Sequence, residues 1–266
     1  MKNKVVIVTG ASSGIGKALV MELMSMNAKV VMASRNKAML DELIANSNNT
    51  NVLAVETDVT KEEDCKSLIE ATINKYGKID VLINNAGISM RALFDEVSID
   101  VIKKVMDVNF WGTVYCTKYA LPHILKSKGS VVGVSSIAGY KGLPGRTGYS
   151  ASKFAMQGFL EVIRIENIKK GLHVLIACPG FTASNIRKVA LSKDGSQQGE
   201  TPLDESKLMS AEEVSKKIVN AIIKRKNSVI MTSQGKMTVL LNKFFPKLVD
   251  KLVYNHMAKE PDSPFK

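Results

Sequence analysis

The sequence predicts an α/β fold: a single doubly wound, parallel sheet of seven strands, with helices on both faces and a C-terminal helical extension. Short runs rich in Val and Ile alternate along the 266 residues with longer amphipathic segments, and this alternation is typical of β-α-β units. The first run, Lys4–Thr9, is apolar on both faces, as expected of a strand buried between two helical layers. A glycine-rich turn leads from it into a helical pattern, which is typical of doubly wound folds.

Each further strand is predicted from a short apolar run that lies between turn residues. Right-handed crossovers between such strands give the predicted order 3-2-1-4-5-6-7. The seven predicted strands are Lys4–Thr9, Lys29–Ala33, Asn51–Glu56, Ile79–Asn84, Gly129–Ser135, Leu172–Cys178 and Ser228–Thr232.

The helices are predicted from their start and stop signals. The first ends near Met26, and Asn36 is an expected N-cap of the second, which ends near Ala45. Thr60 and Glu63 form the pattern of a capping box, which predicts a third helix from Thr60 to about residue 77. Two longer predicted helices are Ser98–Leu125, interrupted near Gly112 and Pro122, and Gly148–Lys170, ended by Gly171.

No internal repeat or composition shift divides the chain up to its last strand. We therefore expect one dinucleotide-binding and catalytic domain over residues 1–233, followed by an amphipathic helical extension over 234–266. The polar segment Thr182–Ser210 follows the sixth strand. Ligands of open α/β sheets bind beyond the carboxyl ends of strands, so this segment is either a substrate lid or a plain loop.

Composition narrows the class of protein. The net charge is +12, but the lysines are spread along the chain in short pairs, which indicates solvated helix faces and no nucleic-acid partner. The three cysteines are too widely spaced for a metal knuckle, and their odd number does not suit a disulfide framework, so no metal and a reducing compartment are expected. The chain runs straight into a strand and has no long apolar segment, so we expect a cytoplasmic protein, with membrane association open only through its C-terminus.

The turn after the first strand has the glycine spacing of a phosphate cradle. Gly10 permits a tight turn, and Gly14 and Gly16 let the backbone approach a pyrophosphate. The following helix would present free N–H groups to the phosphates, although such a turn also occurs without a ligand. The predicted cradle comprises Gly10, Ser12, Ser13, Gly14, Ile15 and Gly16.

The end of the second strand indicates which dinucleotide binds. An acidic residue there binds the 2′-hydroxyl of NAD, whereas an Arg accommodates the 2′-phosphate of NADP. This chain has Ser34 and Arg35 there and no acid, which predicts NADP(H). An exposed Arg at a strand end is the alternative reading.

Three hydroxyl and amine groups suggest acid–base chemistry. Tyr149 and Lys153 are four residues apart on one predicted helix face. A free tyrosine has a pKa of about 10, and a nearby ammonium lowers it, which makes a usable general acid or base. Ser136 ends the fifth strand, and its hydroxyl could polarise a carbonyl oxygen. A Tyr-x-x-x-Lys pair alone is common on helix surfaces, so the glycine turn is what makes this pair informative.

Taken together, these motifs resemble those of the short-chain dehydrogenase/reductase family, which has a Rossmann fold. The segment Thr9–Gly16, the run Asn84–Gly87, Ser136, the Tyr149 and Lys153 pair, and Pro179–Gly180 stand in that family's order and spacing. The resemblance covers about residues 3–232. It implies an oxidoreductase that moves a hydride between NADP(H) and an alcohol/carbonyl pair.

The resemblance also implies roles for single residues. Tyr149 would be the general acid in reduction, Lys153 would lower its pKa and hold the nicotinamide ribose, and Ser136 would orient the carbonyl. Asn109 would kink its helix and hold a water in a proton relay. Members that prefer NADP often carry a basic residue where this chain has Ser13, which leaves dual specificity open. The other implied cofactor contacts are Asp58, Val59, Asn85, Ala86, Gly87, Pro179, Gly180 and Thr182.

The extension carries apolar pairs every four residues from Leu240 to Val253, with lysines between them. Such a basic amphipathic stripe could lie on an anionic membrane, cover the substrate cleft, or pack on a second subunit. Tails of this kind resemble those of family members that act on steroid-like or lipid-like substrates, and we expect a small-molecule substrate and a homo-oligomer. A 3-oxoacyl thioester reductase is the alternative enzyme, and a non-catalytic NADP sensor is the alternative outside enzymes.

Overall fold

The computed structural model describes residues 1–47, 50–199, 201, 208–260 and 263. It contains one sheet of seven parallel strands in the order β3-β2-β1-β4-β5-β6-β7, which confirms the predicted fold class and strand order. Every predicted strand is present, within two residues at each end. The strands are β1 Val5–Thr9, β2 Lys29–Ser34, β3 Val52–Glu56, β4 Val81–Asn84, β5 Ser130–Val134, β6 His173–Cys178 and β7 Ser228–Ile230.

Helices cover both faces of this sheet. They are α1 Gly14–Ser25, α2 Lys37–Ala45, α3 Glu62–Tyr76, α4 Ile99–Met106, α5 Gly112–Lys126, α6 Thr147–Glu166, α7 Ala211–Ile223, α8 Ser233–Phe244 and α9 Pro246–Met257. The sequence predictions did not include α7. The sequence does contain a start signal for α7, because Ser210 and Glu213 form a complete capping box at the beginning of this helix.

The alternation of side chains along β1 separates the two halves of the core. Val6 and Val8 face a buried layer that includes α1 and α7, whereas Ile7 faces a layer that includes α3, α5 and α6. β1 is an interior strand of the sheet, the third of the seven from the β3 edge, and its Val6 pairs with Val30 of β2 and with Val81 of β4. Because all strands are parallel, their carboxyl ends meet at one edge of the sheet.

The predicted capping box at Thr60 is wrong. Both the backbone N–H and the hydroxyl of Thr60 donate to Asp58 Oδ1, at 3.0 and 2.8 Å. This local turn takes the hydroxyl away from the helix, so α3 begins two residues later at Glu62. By contrast, the Asn36 side chain caps α2 as predicted and accepts from Met39 N at 3.1 Å.

The predicted break at Pro122 is also wrong, since α5 continues through this residue to Lys126. Proline removes one N–H from the helix and leaves the carbonyl of Lys118 without its partner. Both residues are exposed, so water can satisfy that carbonyl. The break expected near Gly112 is present as a single π-helical turn, Asp107–Trp111.

Within the described ranges, no helix is long and apolar enough to cross a membrane. The cysteines, all buried, are free thiols. Two of them approach each other in the core, where Cys116 Sγ and Cys65 Sγ are 3.5 Å apart.

Candidate active site

The predicted site residues follow six different strands. Since the strands are parallel, these residues meet along the carboxyl edge of the sheet. The cradle follows β1, Ser34 and Arg35 end β2, Asp58 and Val59 follow β3, Asn85, Ala86 and Gly87 follow β4, Ser136 follows β5, and Pro179, Gly180 and Thr182 follow β6.

The turn after β1 is shaped so that only glycine fits. Gly10 has φ +65°, and a Cβ there would lie 2.8 Å from Ala86 Cα. A Cβ on Gly16 would lie only 2.0 Å from the carbonyl oxygen of Gly10. The N-cap of α1 is Ser13, whose side chain makes no capping hydrogen bond. The first N–H groups of α1 are thus left for another acceptor.

Thr9 and Asn85 fix this turn to the loop after β4. The Thr9 hydroxyl accepts from the backbone N–H groups of Asn85 and Ala86, both at 3.0 Å. In return, the Asn85 amide donates to Thr9 O at 2.9 Å and to Gly10 O at 3.3 Å. The cradle and the Asn85 loop therefore form one rigid unit.

The residues predicted to bind the adenosine part lie beside the cradle. The Ser34 hydroxyl donates to Ser12 Oγ at 2.9 Å, which ties the end of β2 to the cradle. The side chain of Arg35 is exposed next to this contact. Val59 is buried against Gly112, where an added Cβ would lie 2.8 Å from Val59 Cγ2.

Asn109 is fully buried in the π-helical turn and joins two parts of the site. Its Oδ1 accepts from Ile88 N at 2.8 Å, and its Nδ2 donates to Ile88 O at 3.0 Å and to Ser152 Oγ at 2.9 Å. The Ser152 hydroxyl donates in turn to Tyr149 O at 2.7 Å. A π turn often marks a functional position in a helix, and here it places the Asn109 side chain in contact with Ser152 of α6.

Ser136, Tyr149 and Lys153 converge at one end of α6. The Ser136 hydroxyl lies close enough to the Tyr149 phenol to act on its pKa in the lowering direction, so both hydroxyls can reach a single acceptor atom. Lys153 Nζ donates to Val134 O at 2.9 Å and lies 5.7 Å from the centre of the Tyr149 ring. A Cβ on Gly87 would lie 3.2 Å from Asn109 Oδ1 and 3.5 Å from Lys153 Nζ, which shows how closely these groups approach.

The electrostatics of the pair differ from the sequence expectation. Burial raises the pKa of Tyr149, while the hydrogen bond with Ser136 and the charge of Arg146 act in the lowering direction. Lys153 was expected to lower the tyrosine pKa, but its own pKa falls to about 8 because burial disfavours its charged form. Its ammonium is also directed to a backbone carbonyl. In this arrangement Tyr149 is held as a protonated phenol.

The segment after β6 carries Thr182, whose hydroxyl donates to Gly180 O at 3.1 Å. Arg187 Nη2 donates to Thr182 O at 2.9 Å and its charge lowers the pKa of Tyr149. This places the start of the segment proposed as a lid beside the catalytic groups. The rest of that segment falls in part outside the described residues, at positions 200 and 202–207.

The sequence predictions missed a buried ion pair next to Tyr149. Arg146, which precedes α6, and Arg91, which follows β4, both donate to Glu260 Oε2. No local pattern identifies this contact, because Glu260 is 169 and 114 residues away from its partners.

Comparison with known proteins agrees with this geometry. The model of the short chain dehydrogenase family matches residues 4–195. The chain is 35% identical over 260 residues to 11-beta-hydroxysteroid dehydrogenase 1A of Arabidopsis thaliana, covering 93% of this chain and 73% of the relative. It is 33% identical over 271 residues to dehydrogenase/reductase SDR family member 7B of Mus musculus, covering 99% and 84%.

A solved structure has the same fold. A short chain dehydrogenase/reductase from Burkholderia phymatum, in complex with NAD, superposes with a TM-score of 0.82 at 24% identity, covering 93% of this chain and 95% of that one. The family model covers more than half of the chain, and the relatives span nearly all of it. The chain therefore belongs to the short chain dehydrogenase family, a family of oxidoreductases.

Proposed function

We propose that this enzyme uses NADP(H) to interconvert a carbonyl and an alcohol on an apolar, steroid-like or lipid-like substrate. The observation that carries the proposal is the convergence of Ser136, Tyr149 and Lys153 at the start of α6, with the glycine cradle on the same edge of the sheet. The cradle fits a dinucleotide, because the N–H groups at the start of α1 have no side-chain cap and are open to phosphate oxygens.

When bound, the nicotinamide supplies or accepts the hydride. The chain's own residues handle the oxygen and its proton. In reduction, Ser136 and Tyr149 donate hydrogen bonds to the carbonyl oxygen, and Tyr149 transfers its phenolic proton to that oxygen. Burial keeps this phenol protonated beforehand. Ser136 and the nearby positive charges of Arg146 and Arg187 then stabilise the phenolate.

Asn109 and Ser152 position the groups that carry this proton. Asn109 ties the loop after β4 to Ser152, whose hydroxyl bonds the backbone of Tyr149 itself. The catalytic helix and the cofactor loop are thus held at a fixed separation. We infer that a water bound beside Asn109 relays a proton toward Lys153, as the family resemblance implies.

Arg35 is proposed to select NADP(H). It is exposed at the end of β2, next to the Ser12–Ser34 contact, and no acidic residue stands there. A guanidinium can bind a 2′-phosphate with two hydrogen bonds, whereas a carboxylate would bind the ribose hydroxyls.

Arg35→Asp is expected to move the preference toward NADH. The ratio of kcat/KM for NADPH to that for NADH should fall by about a hundredfold, since the change removes one attraction and adds a repulsion. Both constants are measured on one ketone substrate. Lys37→Asp nearby, whose partner in this structure is Asp41, is the control and should leave the ratio within about twofold. An unchanged ratio in Arg35→Asp would contradict this role.

The proposed substrate class is supported by the apolar side chains beside Tyr149 and by the names of similar proteins. Tyr149 packs against a buried apolar cluster that includes Met90, Ala92, Val97 and Leu191. Such a wall favours an apolar substrate. The 11-beta-hydroxysteroid dehydrogenases among the relatives support a steroid-like one.

The proposed function is tested by the oxidation of NADPH in the presence of four substrate classes: steroid ketones, sphingoid ketones, retinal and 3-oxoacyl thioesters. We expect turnover of steroid-like or lipid-like ketones. Turnover confined to 3-oxoacyl thioesters would favour the alternative reductase. NADPH binding without turnover of any class would favour the sensor.

We further propose that the C-terminal helices contact an anionic membrane surface. Leu240, Phe244 and Phe245 of the α8–α9 corner are 55, 69 and 58% exposed, and Lys243 and Lys247 flank them. Only part of the predicted stripe is covered by the protein, as at Val249 of α9. An exposed apolar corner with lysines is suited to anionic lipid headgroups.

This proposal predicts binding to vesicles that contain phosphatidylserine. Binding should weaken as salt is raised, because surface charges are screened. The double variant Leu240→Ser and Phe244→Ser should lose most of it, measured by co-sedimentation. Met21→Ser with Met39→Ser, which removes two exposed apolar side chains from other helices, should not. Equal loss in both variants, or binding that salt does not change, would contradict the membrane role.

The outer face of α6 supports the proposed homo-oligomer. Phe154, Val162 and Ile165 are 47, 52 and 64% exposed and share one helix face. Between them, a Cβ on Gly158 would meet nothing within 4 Å. A flat apolar helix face of this kind can pair with its copy about a two-fold axis.

A further inference from the structure

The end of the chain forms a wall over the candidate active site. The ring of His256 in α9 lies against Phe181, which follows β6, with 6.2 Å between ring centres. Met257 Sδ accepts from Arg146 Nη1 at 3.9 Å. Glu260 lies one turn further along and is 96% buried, since its relative exposure is 4%. The segment from 256 to 260 therefore contacts the loops after two of the strands that carry the site.

The carboxylate of Glu260 is held between two guanidinium groups. Its Oε2 accepts from Arg91 Nη2 at 3.3 Å and from Arg146 Nη2 at 3.5 Å. The side chains of Arg91, Arg146 and Glu260 are only 10, 9 and 3% exposed. The structure thus contains a built, buried site in which two guanidiniums hold one carboxylate.

This carboxylate fits its site poorly. Charge-assisted hydrogen bonds of this type are usually about 2.7–2.9 Å long, whereas both contacts here are longer and share one oxygen. Within the described part of the chain, the other oxygen, Oε1, is buried without a hydrogen-bond partner. A buried acceptor left without a partner costs stability. A better placed anion would therefore replace Glu260 readily.

The two arginines lie next to the reacting groups. Arg146 immediately precedes α6, at the positive end of that helix, and Tyr149 is in its first turn. Backbone hydrogen bonding ties the two arginine loops together, since Ala92 N donates to Gly145 O at 2.9 Å. The apolar cluster around Met90 and Leu191 continues from this point along Tyr149.

We propose that Arg91 and Arg146 form an anion subsite of the substrate pocket, and that Glu260 is its internal occupant, displaced when substrate binds. The substrate would then be an apolar carbonyl or alcohol with an acidic group, a carboxylate or a phosphate, at some distance from the reacting carbon. A guanidinium group can donate two parallel hydrogen bonds to either anion. This inference rests on the proposed function for the reaction, but the subsite itself can be tested without turnover.

The test is calorimetric titration of the full chain with decanoate, decyl phosphate and the neutral 1-decanol. Glu260→Gln removes the competing charge while keeping the shape. It should tighten decanoate binding at least about tenfold, because the internal occupant no longer excludes the ligand. The double variant Arg91→Gln with Glu260→Gln should lose this gain. A gain for decyl phosphate alone would assign the subsite to phosphate, and a gain for decanoate alone would assign it to carboxylate.

Asp250→Asn is the matched control. It breaks the other ion pair between the tail and the body of the protein, Lys141–Asp250, without touching the subsite. Decanoate binding in this variant should stay within about twofold of the parent. An equal gain in both variants, or an equal gain for 1-decanol in Glu260→Gln, would mean that loosening the tail opens an apolar surface, and would overturn the proposal.

If Glu260→Gln does not fold, Glu260→Ala is titrated instead, and it should bind decanoate at least about tenfold more tightly than it binds 1-decanol, because Glu260 no longer competes for the two guanidiniums. Equal affinities would overturn the subsite. The titration needs neither cofactor nor turnover. A failed activity screen would therefore contradict the proposed function and leave the subsite intact. Decanoate binding that does not respond to Glu260→Gln would contradict the subsite and leave the proposed function intact.

Discussion

Tyr149→Phe should lower kcat by about a thousandfold, because proton donation by a positioned group contributes roughly 10²–10⁴-fold to such reactions. The variant keeps the ring and its packing against the apolar cluster and removes only the donor. NADPH affinity should change less than about twofold, because the substitution removes no proposed contact to the part of the cofactor that stays the same through the reaction. Single-turnover measurement with saturating NADPH reports the chemical step directly.

The control for this experiment is Tyr140→Phe. Tyr140 is another half-buried tyrosine near the site, with a pKa raised to about 12 by burial and by the neighbouring Cys178. Tyr140→Phe removes the same hydroxyl from a residue that has no role in the proposed proton transfer. A Tyr149→Phe enzyme that keeps kcat within a few-fold of the parent would exclude the proposed acid. A large loss in both variants would indicate a structural effect.

Asn109→Leu should be strongly destabilising as well as inactive. The change leaves both backbone groups of Ile88 and the hydroxyl of Ser152 without the partners they have in the structure. The Ser152 hydroxyl keeps its hydrogen bond to Tyr149 O. The two backbone groups of Ile88 are left without partners at about 1–3 kcal/mol each, so the free energy of unfolding should fall by roughly 2–6 kcal/mol. Urea unfolding followed by circular dichroism measures this loss.

Asn109→Asp separates the contacts of this side chain. It keeps the acceptor for Ile88 N but loses the two donated hydrogen bonds. Its stability should lie between those of the parent and Asn109→Leu. Asn109→Leu within about 1 kcal/mol of the parent would show that water replaces the side chain and that the residue does not join the two halves of the site.

The sequence was sufficient to predict where the reacting groups would meet. Strand polarity fixes this outcome, because residues that follow parallel strands must share an edge. The glycine spacing at Gly10 and Gly16 needs no tertiary information either, since a close backbone approach excludes any other residue.

The features that the sequence did not predict depend on competing local hydrogen bonds or on contacts between distant residues. At Thr60 the carboxylate of Asp58 binds both the hydroxyl and the N–H that a capping box would use, and a capping pattern does not predict this competition. Pro122 is tolerated because its side of α5 is exposed. The Glu260 contacts join residues more than a hundred positions apart. The net shift of the Tyr149 pKa depends on how deeply the phenol is buried, which no spacing encodes.

The strand order affects how this protein folds during its synthesis on the ribosome. β1 is an interior strand of the finished sheet, yet β4, its partner on one side, follows it by 75 residues along the chain, as the pairing of Val6 with Val81 shows. At a synthesis rate of about 5–20 residues per second, roughly 4–15 seconds pass between the two strands. During that interval β1, β2 and β3 can pair, but Val6, Ile7 and Val8 present an unpaired apolar edge. A nascent chain of this topology is therefore a natural client for chaperones that bind extended apolar segments, and slowing translation before β4 should lengthen its exposure.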